Sequence, residues 1–90
     1  MNRLVIDGNF IESKAQLHEL IARELQFPDW YGKNLDALFD CLTDLSEETA
    51  IEIKNADLLR ETLGGYADRL LQAVSEASEI NRMIEFNYSD

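Results

Sequence analysis

In the stretch NLDALFDCLTDL, Asp36, Asp40 and Asp44 recur every four residues, a spacing that sets three carboxylates along one face of an α-helix. No lysine or arginine stands at helical spacing to balance them. Carboxylates in a row can do acid and base work, hold a metal ion, or meet a cationic surface. The first two roles are poorly supplied. Calcium loops gather oxygens from a tight turn, and helix-borne metal sites add a histidine or a glutamate from another helix. His18 is the single histidine and has no serine or cysteine nearby at a catalytic spacing, so it reads as a boundary side chain beside the inward-facing Leu17. Cys41 lies on an amphipathic stretch and reads as a small core residue. Gly64-Gly65 has no neighbouring lysine and reads as a helix stop rather than a phosphate loop. No catalytic residue, metal ligand or cofactor is expected.

The third role fits the energetics. Like charges at i and i+4 cost a helix about 0.2–0.5 kcal/mol per pair, and Asp40 and Asp44 fall toward the C-terminal end, where the macrodipole disfavours carboxylates. The stripe mildly weakens its own helix, which points to a use outside it. Four residues rise about 6 Å, so the carboxylates form a rod of charge on the scale of successive phosphates in an extended nucleic-acid strand. The natural receiver of such a phosphate mimic is a cationic cleft built for RNA or DNA.

Composition agrees. Eight basic against eighteen acidic side chains give a net charge of −10, which repels nucleic acids and anionic membranes. The acidity is concentrated: between Asp29 and Glu52 there are seven acids and one lysine, Lys33. Ninety residues read as one domain spanning 1–90. No apolar run approaches the roughly 20 residues of a membrane span, and MNRLVIDGNF does not read as a secretory signal. The single cysteine cannot form an internal disulfide, and a reducing cytoplasm is the expected compartment.

The elements that must position the stripe follow from periodicity. Leu4 to Ile6, ended by Asp7-Gly8, reads as a first, buried strand. Ser13 and Gln16 form a capping box, and Leu17, Leu20, Ile21 and Leu25 give the ensuing helix an inward face before Pro28 bars its continuation. Asn34 caps the acidic helix, whose Leu35, Leu38, Phe39 and Leu42 point at the core. Thr49 to Ile53 alternates as a half-buried strand. Asp57 caps a brief helix through Leu63, a further helix runs from Tyr66 to Ser78, and Met83 to Asn87 is the last strand. Each connection is long enough for a crossover, so the expected fold is α/β: a small three-stranded parallel sheet packed with about four helices. In the loop before the acidic helix, Trp30 and Tyr31 are neighbours in extended chain, so Tyr31 packs inward while Trp30 faces solvent.

The block PDWYGKNLDALFDCL resembles the signature of the barstar family, intracellular protein inhibitors of barnase-type ribonucleases, and the likeness extends more loosely along the chain through REL and LLQAVSEA. The resemblance implies a protein that plugs a ribonuclease active site with an acidic helix and its preceding loop, without catalysis of its own. Carried over position by position, the partner-binding surface comprises Trp30, Gly32, Asn34, Leu35, Asp36, Asp40, Thr43 and Asp44, with Glu76 from the fourth helix; Asp40 matches the carboxylate that takes the phosphate site. The chain departs from the family pattern at Trp30, Lys33, Phe39 and Asp44-Leu45. The implied partner is a basic ribonuclease or related toxin, with no direct nucleic acid or membrane contact and a monomer when free. The alternative is an immunity or binding module of the same fold for another basic toxin or protein.

Overall fold

Burial alternates along the strands and thereby defines the sheet. In the computed structural model, which describes residues 1–90, β1 (Asn2–Asp7), β2 (Thr49–Lys54) and β3 (Ile84–Tyr88) pair in parallel in the order β1-β2-β3. The register sets Leu4 beside Ile51 and Ile51 beside Phe86, with Ile6, Ile53 and Tyr88 in the next row. Leu4, Ile6, Ile51, Ile53 and Ile84 are buried on this face, whereas Arg3, Glu52 and Glu85 stand on the other, where Arg3 and Glu52 pair at 3.3 Å.

The helices supply the cover. They are α1 (Lys14–Leu25), α2 (Leu35–Thr43), α3 (Ala56–Leu63) and α4 (Gly65–Ile80), placed two in each crossover. Both crossovers step the same way across the sheet, and crossovers of one hand put their helices on one face, so a two-layer α/β arrangement results. The fold is therefore the expected small three-stranded parallel sheet with four helices. Nineteen buried apolar residues form a continuous core between the layers.

Helix ends differ from the sequence reading in several places. α1 ends before Pro28 is reached: Gln26 turns left-handed at φ 57°, and Phe27 N–H donates back to the Ala22 carbonyl at 2.9 Å. Asp57 does not cap α3, because the helix already begins at Ala56, with Asn55 at the cap position in a left-handed conformation. The Asn55 amide is used elsewhere, donating to Asp7 Oδ1 at 2.8 Å. The approach is close here: a Cβ on Gly8 would stand 2.2 Å from the Asn55 carbonyl oxygen, so only glycine fits. Gly64, at φ 60°, breaks the chain between α3 and α4, and α4 starts at Gly65, one residue earlier than its apolar pattern.

α2 is short, with two fully buried side chains, Leu38 and Leu42. Burying each is worth about 1.5–3 kcal/mol. Two such anchors outweigh the roughly 1 kcal/mol or less of repulsion along its aspartates, so the acidic face persists on a well-seated helix.

Candidate functional site

The loop that leads into α2 is built as two tight pieces. Pro28 to Tyr31 is a turn closed by Tyr31 N–H donating to the Pro28 carbonyl at 2.9 Å. Trp30 is 81% exposed and Tyr31 5%. The two rings do face opposite ways, although a turn rather than extended chain separates them. Lys33 then takes a left-handed conformation, φ 54°, and brings Asn34 to the N-cap of α2. Asn34 Oδ1 accepts from Ala37 N–H at 2.8 Å while its amide donates to the Gly32 carbonyl at 3.2 Å. Both polar ends of Asn34 are thus engaged within the chain, which makes it the joint between loop and helix. A Cβ on Gly32 would lie 3.3 Å from both Ala37 Cβ and Asn34 Nδ2, so this joint leaves little room for a side chain there.

Beyond the joint, Asp36, Asp40 and Asp44 are all exposed on α2. None of the four ion pairs in the structure involves them, and their carboxylates take no hydrogen bond from the protein. No group of three or more metal-ligating side chains converges anywhere. Asp36 opens the helix where the dipole favours it; Asp44 closes it as the C-cap, with no basic residue in the last turn. Thr43, half-buried, turns its hydroxyl back to the Asp40 carbonyl at 3.0 Å. It stays local to the helix.

Beside the stripe runs a groove of about 450 Å³ between α2 and α4, lined by Leu35, Asp36, Phe39, Asp40, Ala73 and Glu76. Four of the expected site residues therefore meet: Leu35, Asp36 and Asp40 from α2, and Glu76 from α4. Glu76 is exposed and is held along its helix by Gln72, whose amide donates to Oε1 at 3.1 Å. Phe39 and Leu35, expected in the core, are only half-buried and form the apolar floor. They sit at the margin of the α2 stripe, and Ala73 opposite is too small to cover them. Phe39 was legible only as a core residue, since periodicity cannot tell a stripe's margin from its centre, and Ala73 was not singled out at all.

Lys33, the one cation in the acidic segment, is drawn aside. Its ammonium lies 3.9 Å from Glu19 on α1, an exposed contact. Cys41 is half-buried on α2; burial first, then Asp44 and Asp40, push its thiol pKa up, so it stays protonated at neutral pH and is a poor nucleophile.

His18 corrects the sequence reading. It is fully buried rather than at a boundary. Its Nδ1 lies 2.7 Å from the Tyr31 hydroxyl and its Nε2 2.6 Å from the Tyr66 hydroxyl. A neutral imidazole donates through one nitrogen and accepts through the other, so both tyrosines are satisfied and three elements are tied together: α1, the loop and α4. Burial holds the imidazole pKa below its ordinary value, and burial raises both tyrosines. This is an internal strut between α1, the loop and α4, with His18 and Tyr31 buried and Tyr66 half-buried at its outer end.

Fold and site together define a small two-layer α/β protein carrying an acidic helix and an exposed aromatic loop on one side. The chain belongs to the barstar family: the family model described as Barstar (barnase inhibitor) matches residues 1–89. A Bacillus subtilis protein named "Putative ribonuclease inhibitor YrdF" is 41% identical over 80 residues, covering 88% of each chain.

Proposed function

We propose that this protein inhibits a basic, barnase-type ribonuclease by laying α2 and the Trp30 loop across its active site. Family membership and the name of the Bacillus relative support an inhibitor of ribonuclease. The observation that carries the finer reading is the row of exposed carboxylates at Asp36, Asp40 and Asp44 with no partner inside the chain. Unpaired anions cost little in water and gain most from a desolvated cationic pocket, where each charge-assisted hydrogen bond is about twice as strong as a neutral one.

In this reading Asp40, at the centre of the stripe, enters the site that holds the scissile phosphate, and Asp36 and Asp44 meet cations at its rim. Leu35, Phe39, Asp36 and Glu76 receive a long cationic side chain, its stem on the apolar floor and its charge among the carboxylates. Trp30 adds contact area at the edge, since large aromatic residues bind with little entropy loss. Gly32, Asn34 and Thr43 set the backbone from which these groups project. Inhibition is by occlusion: the cations that would hold RNA are occupied, and no bond is made or broken.

The test is a titration of a purified barnase-type ribonuclease with this protein, RNA cleavage being followed directly. Activity should fall linearly to zero at one inhibitor per enzyme. Undiminished cleavage in excess inhibitor refutes the reading, and capture of a basic protein without ribonuclease activity would favour the alternative, a binding module for another basic toxin.

A further inference from the structure

The acidic end of α2 lacks the support a helix C-terminus ordinarily receives. The Asp40 carbonyl takes the Asp44 N–H at 3.2 Å and the Leu42 carbonyl only a long bond from the Leu45 N–H at 3.3 Å, no basic side chain stands in the last turn, and Asp40 and Asp44 add negative charge at the negative end of the dipole. One side chain from elsewhere reinforces this end. The Asn81 amide donates to the carbonyls of Leu42 and Leu45, each at 2.9 Å, with the Thr43 carbonyl at 3.5 Å. Asn81 is itself the C-cap of α4, its backbone N–H donating to Ala77 at 2.8 Å, and its Oδ1 accepts from Met83 N–H at 3.0 Å. The amide is thus fixed at both ends and can be oriented in only one way.

We propose that Asn81 is a positioning residue for the binding surface: it holds the last turn of α2, and with it Asp40 and Asp44, in register with α4 and Glu76. A lysine at the same place would satisfy the carbonyls, but its charge would offset the stripe. A neutral amide supplies donors from the inner side and leaves the outer face fully negative. The same clamp fastens the end of α2 to the start of β3, so the site inherits the rigidity of the sheet. As a claim about binding it rests on the ribonuclease-inhibitor reading; as a claim about the clamp it does not.

Two measurements separate these. Amide hydrogen exchange on the free protein compares wild type with Asn81→Ala and Asn81→Asp. Exchange at Asp44 and Leu45 should accelerate at least about tenfold in both variants, while Ile51 and Ile53 in β2 keep their protection. Because a protonated carboxyl has an O–H donor in the shape of the amide, acidification should restore protection at Asp44 and Leu45 in Asn81→Asp and leave Asn81→Ala unprotected. Unchanged exchange at these two amides overturns the proposal, as does acceleration equal to that in β2, which would make Asn81 a general stability residue. The second measurement is binding to barnase itself. The on-rate should stay within about twofold, since charge is unaltered in Asn81→Ala, and the off-rate should rise at least about tenfold. In an Asp40→Ala, Asp44→Ala background the off-rate penalty should largely vanish. An off-rate equal to wild type, or a penalty that persists in full without the aspartates, overturns the positioning role. Wild-type protein that does not bind barnase refutes the inhibitor reading for that enzyme, and hydrogen exchange then decides the clamp alone.

Discussion

Trp30 and Tyr31 are adjacent, chemically alike, and committed to opposite ends. Tyr31 spends its ring on Phe27, at 5.0 Å between centroids, and its hydroxyl on His18, whereas Trp30 touches solvent over most of its surface. An indole so exposed contributes little to folding, and large aromatics dominate binding hot spots. Trp30→Ala should leave stability within about 0.5 kcal/mol of wild type and weaken ribonuclease binding by about 1–2 kcal/mol. Tyr31→Phe should do the reverse, leaving a buried His18 nitrogen without its partner at a cost of about 1–3 kcal/mol. Denaturant melts and dissociation rates on both variants check this; a melting point lowered by Trp30→Ala with binding intact would exchange their roles.

At the scale of elements, α1, the loop and α4 meet at His18, and this junction should make stability depend on pH. Burial depresses the imidazole pKa in the folded protein. As pH falls through the ordinary value near 6.5, the unfolded chain takes up a proton that the folded chain refuses. Stability is therefore full above that value, declines as pH drops toward the folded-state pKa, and levels off below it. His18→Phe should remove the slope between pH 7 and about 5.5, a window above the carboxylates, while lowering stability throughout because two tyrosine hydroxyls lose their partner. Urea midpoints across that window check it; a wild-type midpoint that rises on acidification would reverse the account.

The elements themselves were largely legible. Ser13 and Asn34 are caps in the structure as in the sequence, with side chains accepting from Gln16 and Ala37 N–H groups, because capping is a local bond between residues a few positions apart. What sequence could not give is nonlocal. His18 reads as a boundary residue until Tyr31 and Tyr66, 13 and 48 positions away, close over it. Asn81 carries no signal at all, since its acceptors lie 36 to 39 residues back. Strand order was equally hidden, because a crossover length permits either neighbour. The carboxylate stripe was visible because its spacing is local; the groove beside it was not readable from spacing, because Ala73 arrives from another helix and Glu76 entered only through the family resemblance.

For the whole molecule, a net charge of −10, with seven of the eighteen acids between Asp29 and Glu52, creates a field that extends beyond contact distance. The Debye length shrinks from about 30 Å at 0.01 M salt to about 8 Å at physiological ionic strength, so charge should steer the encounter with a cationic enzyme strongly in the first condition and weakly in the second. The association rate should fall at least tenfold between them, with dissociation far less affected. Stopped-flow rates that stay flat over this range would remove electrostatic mimicry from the account. The outer sheet face, with Arg3 paired to Glu52, carries mixed charge.

Asp40→Ala tests the central claim most directly, because that side chain does nothing visible for the fold. Its carboxylate is exposed and unpaired, it stands between like charges, and alanine is the better helix former, so stability should be unchanged or slightly higher. Titrating a barnase-type ribonuclease with wild type and Asp40→Ala, beside denaturant melts of both, should show inhibition weakened by about 2–5 kcal/mol, more than for Asp44→Ala at the rim. A variant that melts early yet inhibits fully once folded would contradict the account, since Asp40 would then be serving the helix rather than the partner.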